Sequence, residues 1–159
     1  MSTHCDMVKQ FHLKHGAPVD VPLTGELDES TDRELSAAAD TLTRLAQAFR
    51  LMMRERLQRG DGRSLRAHLM LEELGEVLQA LAQRDNAGLA DGLADLDYVV
   101  SGTAVAYDIP HEEVFFEVHQ SNMTKKVTGD VRVLDKGVSY NPPTAKIRQI
   151  LERHWRMKA

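Results

Sequence analysis

The chain has 159 residues, is 42% hydrophobic but only 5% aromatic, and carries a formal charge of −4 at pH 7. That length buries a core without covalent staples, so a single domain spanning 1–159 is expected. The charge gives no general reason to bind nucleic acid, Cys5 as the lone cysteine excludes an intrachain disulfide and a multi-cysteine zinc site, and no apolar run reaches transmembrane length.

Few aromatic residues and abundant Leu, Ala, Arg, Glu and Met favour helices over a β-sandwich or barrel, so the expected fold class is all-α. Residues Met1 to Gln10 lack the apolar core of a secretion signal, and a protein of the reducing cytoplasm, bound to no membrane, is the expectation. Basic residues collect at Lys146, Arg148, Arg153, Arg156 and Lys158, a pattern usual for a solvated helix face.

Met7, Val8, Phe11 and Leu13 predict a short helix over 5–15, ended by Gly16 and followed by the proline-bearing stretch Ala17 to Leu23. From a cap at Ser30 or Thr31, the residues Leu35, Leu42, Leu45, Phe49, Met52 and Met53 recur at helical spacing to about Leu57. Arg50, Arg54, Arg56 and Arg59 make the end of this long helix basic, before Gly60-Asp61-Gly62 breaks it.

The next helix, from a Ser64 cap to about Arg84, carries Glu72, Glu73 and Glu76 in the pattern E-E-x-x-E. Leu71, Leu74, Leu78 and Leu81 form an apolar stripe, and the glutamates fall on another arc of about 100° that also holds Leu65, Leu69 and Ala80. Acids that interrupt an apolar surface need partners, and a divalent cation suits three of them. Asp85-Asn86 makes a turn into a helix that runs to about Tyr107, where Asp91, Asp95, Tyr98 and Gly102 share a stripe. Gly88, Gly92 and Gly102 in that helix imply close approach of another helix or a ligand, while Asp97 points elsewhere and calls for an arginine from another helix or subunit.

Asp108 is expected to cap a further helix with Pro110 in its first turn and Val114, Phe115 and Val118 as anchors. It leads to Ser121-Asn122-Met123-Thr124-Lys125-Lys126, a polar exit that can clamp phosphate. Val127 to Pro143 reads as a loop or small hairpin, and Thr144 to Arg156 as a final helix.

Splitting a nucleoside triphosphate between its α and β phosphates requires neutralising charge on the leaving pyrophosphate and delivering a water in line. Magnesium takes hard oxygen ligands and keeps several waters, so five carboxylates on two facing helices are enough for two or three ions. A further carboxylate beside the water can serve as general base. An E-E-x-x-E triplet alone is weak, because glutamate pairs on helix surfaces are common; Asp91 and Asp95 across a short turn make coincidence a poor explanation.

Phe11-His12 with Gly16, Glu72-Glu73-Leu74-Gly75-Glu76, Leu93-Ala94-Asp95 with Tyr98-Val99 and Gly102, Val114-Phe115 with Glu117-Val118-His119, and Ser121-Asn122-Met123-Thr124-Lys125 follow one another in a telling order. In this the chain resembles the all-α NTP pyrophosphohydrolases, the MazG-like proteins related to phosphoribosyl-ATP pyrophosphohydrolases and dimeric dUTPases. The resemblance implies a helical homo-oligomer, dimer or tetramer, with bound Mg2+ or Mn2+, that converts a (d)NTP to (d)NMP and pyrophosphate.

Position by position, it makes Glu73, Glu76 and Asp95 metal ligands and Glu72 a further acid, ligand or base for the attacking water. Asn122 and Lys125 become substrate contacts, assisted by Lys126, with Phe11, His12 and Tyr98 as further substrate-binding positions. The chain departs from the family at Gly92, where the second acidic motif commonly has Glu, and Asp91 is the acid nearest to replace it. Residues 25–62 look like an insertion that builds the oligomer or closes over the base. The base itself is either that of dUTP or a non-standard nucleotide, or the guanine of dGTP or GTP. A non-catalytic helical oligomerisation or nucleotide-binding module with a degenerate metal site is the rival reading.

Overall fold

A computed structural model describes residues 3–21, 23, 29–127, 134–135 and 140–158. Its elements are the helices α1 (His4–His15), α2 (Glu29–Gln58), α3 (Arg63–Gln83), α4 (Asn86–Ala106), α5 (His111–Met123) and α6 (Thr144–Arg156). Strands β1 (Lys126–Val127) and β2 (Leu134–Asp135), between α5 and α6, pair antiparallel with Lys126 opposite Asp135. The expected all-α architecture is present, with the long helix at 29–58 and a minimal hairpin where a loop or hairpin is predicted. Among the described residues no helix is long and apolar enough to cross a membrane.

The chain forms two compact units, Pro22–Tyr107 and the pair of segments Met1–Val21 and Asp108–Ala159. In the first, α2, α3 and α4 pack in sequence order, with α3 in the middle. The α2–α3 seam is antiparallel. Arg84 at the end of α3 pairs with Asp32 at the start of α2 at 2.9 Å, the buried His68 Nδ1 lies 3.1 Å from the Ala46 carbonyl, and Arg56 donates to the Ser64 hydroxyl at 3.1 Å. Small residues permit this closeness: a Cβ on Gly75 would come within 3.6 Å of the Ala39 carbonyl.

The deepest residues of α3 are Ser64, His68, Gly75, Val77, Ala80 and Ala82, and Leu74 of the predicted leucine stripe stays 38% exposed. A helix packed on two sides buries its small residues at the seams, which displaces the larger leucines outward. Asp97 is exposed and meets no arginine of another helix among the described residues.

Three caps differ from those expected. Ser30 and Thr31 lie inside α2, which already runs from Glu29. Ser64 lies in the first turn of α3 and is 1% exposed, while the Asp61 carboxylate accepts from the Arg63 main-chain N–H at 3.0 Å. An Asp two residues before the helix does the work assigned to the serine.

Asp108 is not the cap of α5, whose preceding residue is Pro110; it adopts a left-handed backbone, φ 51°, and pairs its carboxylate with α6. His154 Nε2 lies 3.1 Å from Asp108 Oδ1, Lys158 bonds the same oxygen, and Trp155 Nε1 donates to the Asp108 carbonyl at 3.0 Å. These contacts moor α6 within the second unit. There α1 has a Thr3–Asp6 capping box at its start and Gly16, φ 68°, at its end, and lies along α5, where His4 stacks on Phe115 at 3.7 Å.

Candidate active site

Glycines set the spacing of α3 and α4. A Cβ on Gly88 would meet the Ala80 Cβ at 3.5 Å, one on Gly92 the Val77 Cγ2 at 3.1 Å, and one on Gly102 the Arg66 Nη1 at 3.3 Å. The three pairs run antiparallel, and one turn on from Val77 and Gly92 the same register brings Glu73 opposite Asp95. The close approach of another helix that their presence implied is tight at Gly92; at Gly88 the nearest atom is the Asp85 carboxylate of the cap, at 2.7 Å, and at Gly102 it is the end of the Arg66 side chain.

The register explains the charge environment of Glu73. Its carboxyl is pushed above the ordinary value of 4.5 first by burial, then by the charges of Glu76, Asp95, Glu72 and Asp91. The carboxylates of the two acidic motifs therefore act on one another across the α3–α4 groove. Glu73, Glu76, Asp91 and Asp95 have no cationic partner among the described residues. Among those residues no three Asp, Glu, His or Cys side chains are grouped so as to hold a metal ion as they stand.

Glu72 stands apart. His68 Nε2 lies 3.5 Å from its carboxylate, and because the Ala46 carbonyl can only accept, Nδ1 of the same ring carries the hydrogen that faces α2. The imidazole sits between Glu72 and the α2–α3 seam. Sequence reasoning missed His68, although its place four residues before Glu72 on the same helix face was a usable signal.

Gly92 is buried against Val77 and leaves no room for a glutamate, whereas Asp91 is exposed and lies within the field that acts on Glu73. Tyr98, on the same helix, is 81% exposed.

In the other unit, a separate cluster forms where α1 meets the end of α5. The Phe11 ring lies 4.6 Å from that of His15, His12 Nδ1 lies 3.0 Å from the Pro18 carbonyl, and Lys14 bonds the Met123 carbonyl. His15 is buried, and desolvation first, then Lys14, hold its imidazole below the usual value, against the opposing pull of the Asn122 main-chain carbonyl; Lys125 adds to the lowering. Phe11, Asn122 and Lys125 are thereby gathered around one histidine, with His12 beside them. Their sequence motifs lie about a hundred residues apart, and His15, four residues after Phe11, is the link that sequence reading passed over. Lys126 stands exposed on β1.

Residues 35–122 match the family described as phosphoribosyl-ATP pyrophosphohydrolase. The match takes in most of α2, which sequence reading set apart as an insertion, together with both acidic motifs and Asn122; Phe11, His12, Lys125 and Lys126 fall outside it. No curated protein and no solved structure gives a significant match to the chain. More than half of the chain lies within the match, and all the acid-bearing turns lie inside it. The chain belongs to the phosphoribosyl-ATP pyrophosphohydrolase family, whose members hydrolyse a phosphoric anhydride of a nucleotide.

Proposed function

We propose that the chain is a metal-dependent nucleoside triphosphate pyrophosphohydrolase that converts a (d)NTP to (d)NMP and pyrophosphate by attack of water on the α-phosphate. The observation that carries this reading is the α3–α4 register, which sets Glu73 opposite Asp95, so that after burial the charges of Glu76, Asp95, Glu72 and Asp91 raise its carboxyl. Such a set of hard oxygen donors is at odds with itself until a cation joins it.

The donor set fits Mg2+ or Mn2+, two or three ions per site, with Glu73, Glu76, Asp91 and Asp95 as holders and Glu72 at their edge. Bound there, the metal supplies charge neutralisation for the leaving pyrophosphate and a more acidic water. Glu72, steadied by His68, orients that water and takes its proton. Asn122 and Lys125 contact the substrate, with Lys126, Tyr98, Phe11 and His12 as further contacts. The substrate base is that of dUTP or a non-standard nucleotide, or guanine. Leu93 and Val105 on α4 are 52% and 82% exposed, which supports assembly into a dimer or tetramer, and sedimentation tests that part.

The test is a screen of the standard ribo- and deoxyribonucleotides, dUTP, non-standard nucleotides and phosphoribosyl-ATP, with Mg2+ or Mn2+ and with products separated. Pyrophosphate and a nucleoside monophosphate from at least one NTP is the expected result. Hydrolysis of phosphoribosyl-ATP alone would move the substrate to the one in the family's name, and no turnover at all would leave a non-catalytic module.

A further inference from the structure

The acid groove has a cation at one end. Arg66 lies on α3 two turns before Glu73, and its Nη1 rests over α4 at Gly102, where a Cβ would come within 3.3 Å. The residue as a whole is half-buried, and its guanidinium makes no side-chain hydrogen bond or ion pair among the described residues. The acids do not serve it: seven residues separate Arg66 from Glu73, about 10 Å along the helix. Arg66 is also absent from the charges that shift the Glu73 carboxyl. An unpaired guanidinium presents parallel N–H groups that match phosphate oxygens.

We infer that Arg66 is a substrate-binding residue that holds the distal phosphates of the triphosphate, and so the leaving pyrophosphate, at the Gly102 end of the groove. The inference rests on the acid groove as the site of phosphate chemistry and extends it by naming the residue that holds the leaving group. Charge alternates along the groove: carboxylates in the middle, a guanidinium at the end. A polyphosphate chain spans that separation, with its α-phosphate among the carboxylates and its far end on Arg66. Gly102 has a specific part in this, since a Cβ there would come within 3.3 Å of the Arg66 Nη1 and press on it.

The experiment compares wild type, Arg66→Met, Arg66→Lys and Gly102→Ala by calorimetric binding of inorganic pyrophosphate with Mg2+, by KM and kcat on the best nucleotide, and by inhibition with the nucleoside monophosphate product. Arg66→Met should weaken pyrophosphate binding and raise KM by about tenfold or more, as loss of a charge-assisted bond does. Arg66→Lys should recover part of this, Gly102→Ala should show a smaller change in the same direction, and inhibition by the monophosphate should not move. Unchanged pyrophosphate affinity in a folded Arg66→Met overturns the role of Arg66, as does an equal loss of monophosphate inhibition, which would mark general damage. Should Arg66→Met not fold, Arg66→Lys and Gly102→Ala decide, and unaltered pyrophosphate affinity in both overturns it. Pyrophosphate binding does not depend on turnover: an inactive wild type whose pyrophosphate affinity still depends on Arg66 counts against the proposed reaction alone, and a wild type that binds no pyrophosphate overturns the Arg66 inference.

Discussion

Gly92 of α4 lies so close to α3 that a Cβ on it would come within 3.1 Å of the Val77 Cγ2 and 3.4 Å of the Val77 main-chain nitrogen. A side chain at this position presses on Val77. Restoring the acid as Gly92→Glu should destabilise the protein by about 2 kcal/mol or more, since it both overpacks the seam and drives a carboxylate against an apolar wall. Urea denaturation measures it, and Val77→Ala in the same chain should recover part of the loss by removing the obstructing methyl groups. A Gly92→Glu protein as stable as wild type would contradict the register.

Glu73 should make the metal-free protein less stable at neutral pH than in mild acid. Its folded carboxyl sits above its unfolded value of 4.5, so the unfolded chain releases its proton first. The stability linked to that proton is present below the unfolded value and is lost as pH rises through the folded one. With chelator present, Glu73→Gln should therefore raise Tm at pH 7 and leave it nearly unchanged at pH 4. Mg2+ or Mn2+ should raise the Tm of wild type more than that of the variant.

Glu76 and Asp95 are both exposed in the groove, so their removal separates chemistry from stability. Glu76→Ala and Asp95→Ala should each cut turnover by more than about 100-fold, because metal-assisted charge stabilisation contributes several kcal/mol. Their unfolding free energies should stay within about 0.5 kcal/mol of wild type. Near-normal rates in both variants would remove these residues from the ligand set.

Asp108 gives the second unit its own pH dependence. Lys158 first, then His154, hold its carboxyl below the ordinary 3.8, so its contribution is present above that value and is lost as pH falls through the folded one. Trp155, the one tryptophan of the chain, bonds the Asp108 carbonyl and reports the event. Its near-UV dichroism should weaken on acidification below about pH 4. In Asp108→Asn, which tolerates the left-handed backbone but lacks the charge, the acid-linked step should vanish and the signal at pH 7 should already be reduced.

Much of the fold was legible in the chain because helices announce themselves locally. Gly16 ends α1, Gly60 and Gly62 separate α2 from α3, and the apolar spacing carries α2 to within a residue or two of its observed ends. The errors were at caps, where one short polar side chain competes with another: Asp61 displaced Ser64, and Asp108 turned from α5 to α6. The leucine stripe of α3 misled for a related reason. Periodicity reports how apolar a face is, not how many helices press on it.

The sequence by itself determined the helices, the two acidic motifs and the family to which they belong, since each is a property of residues within a few turns of one another. Only the tertiary structure decided which acid faces which. That depends on the antiparallel register of α3 and α4, set by Gly88, Gly92 and Gly102 against Ala80, Val77 and Arg66. The same packing sets His68 between Glu72 and the Ala46 carbonyl, excludes a glutamate at 92 and leaves Asp91 in the field of Glu73. Close contact between backbones is a relation between distant residues, and no local pattern encodes its distance.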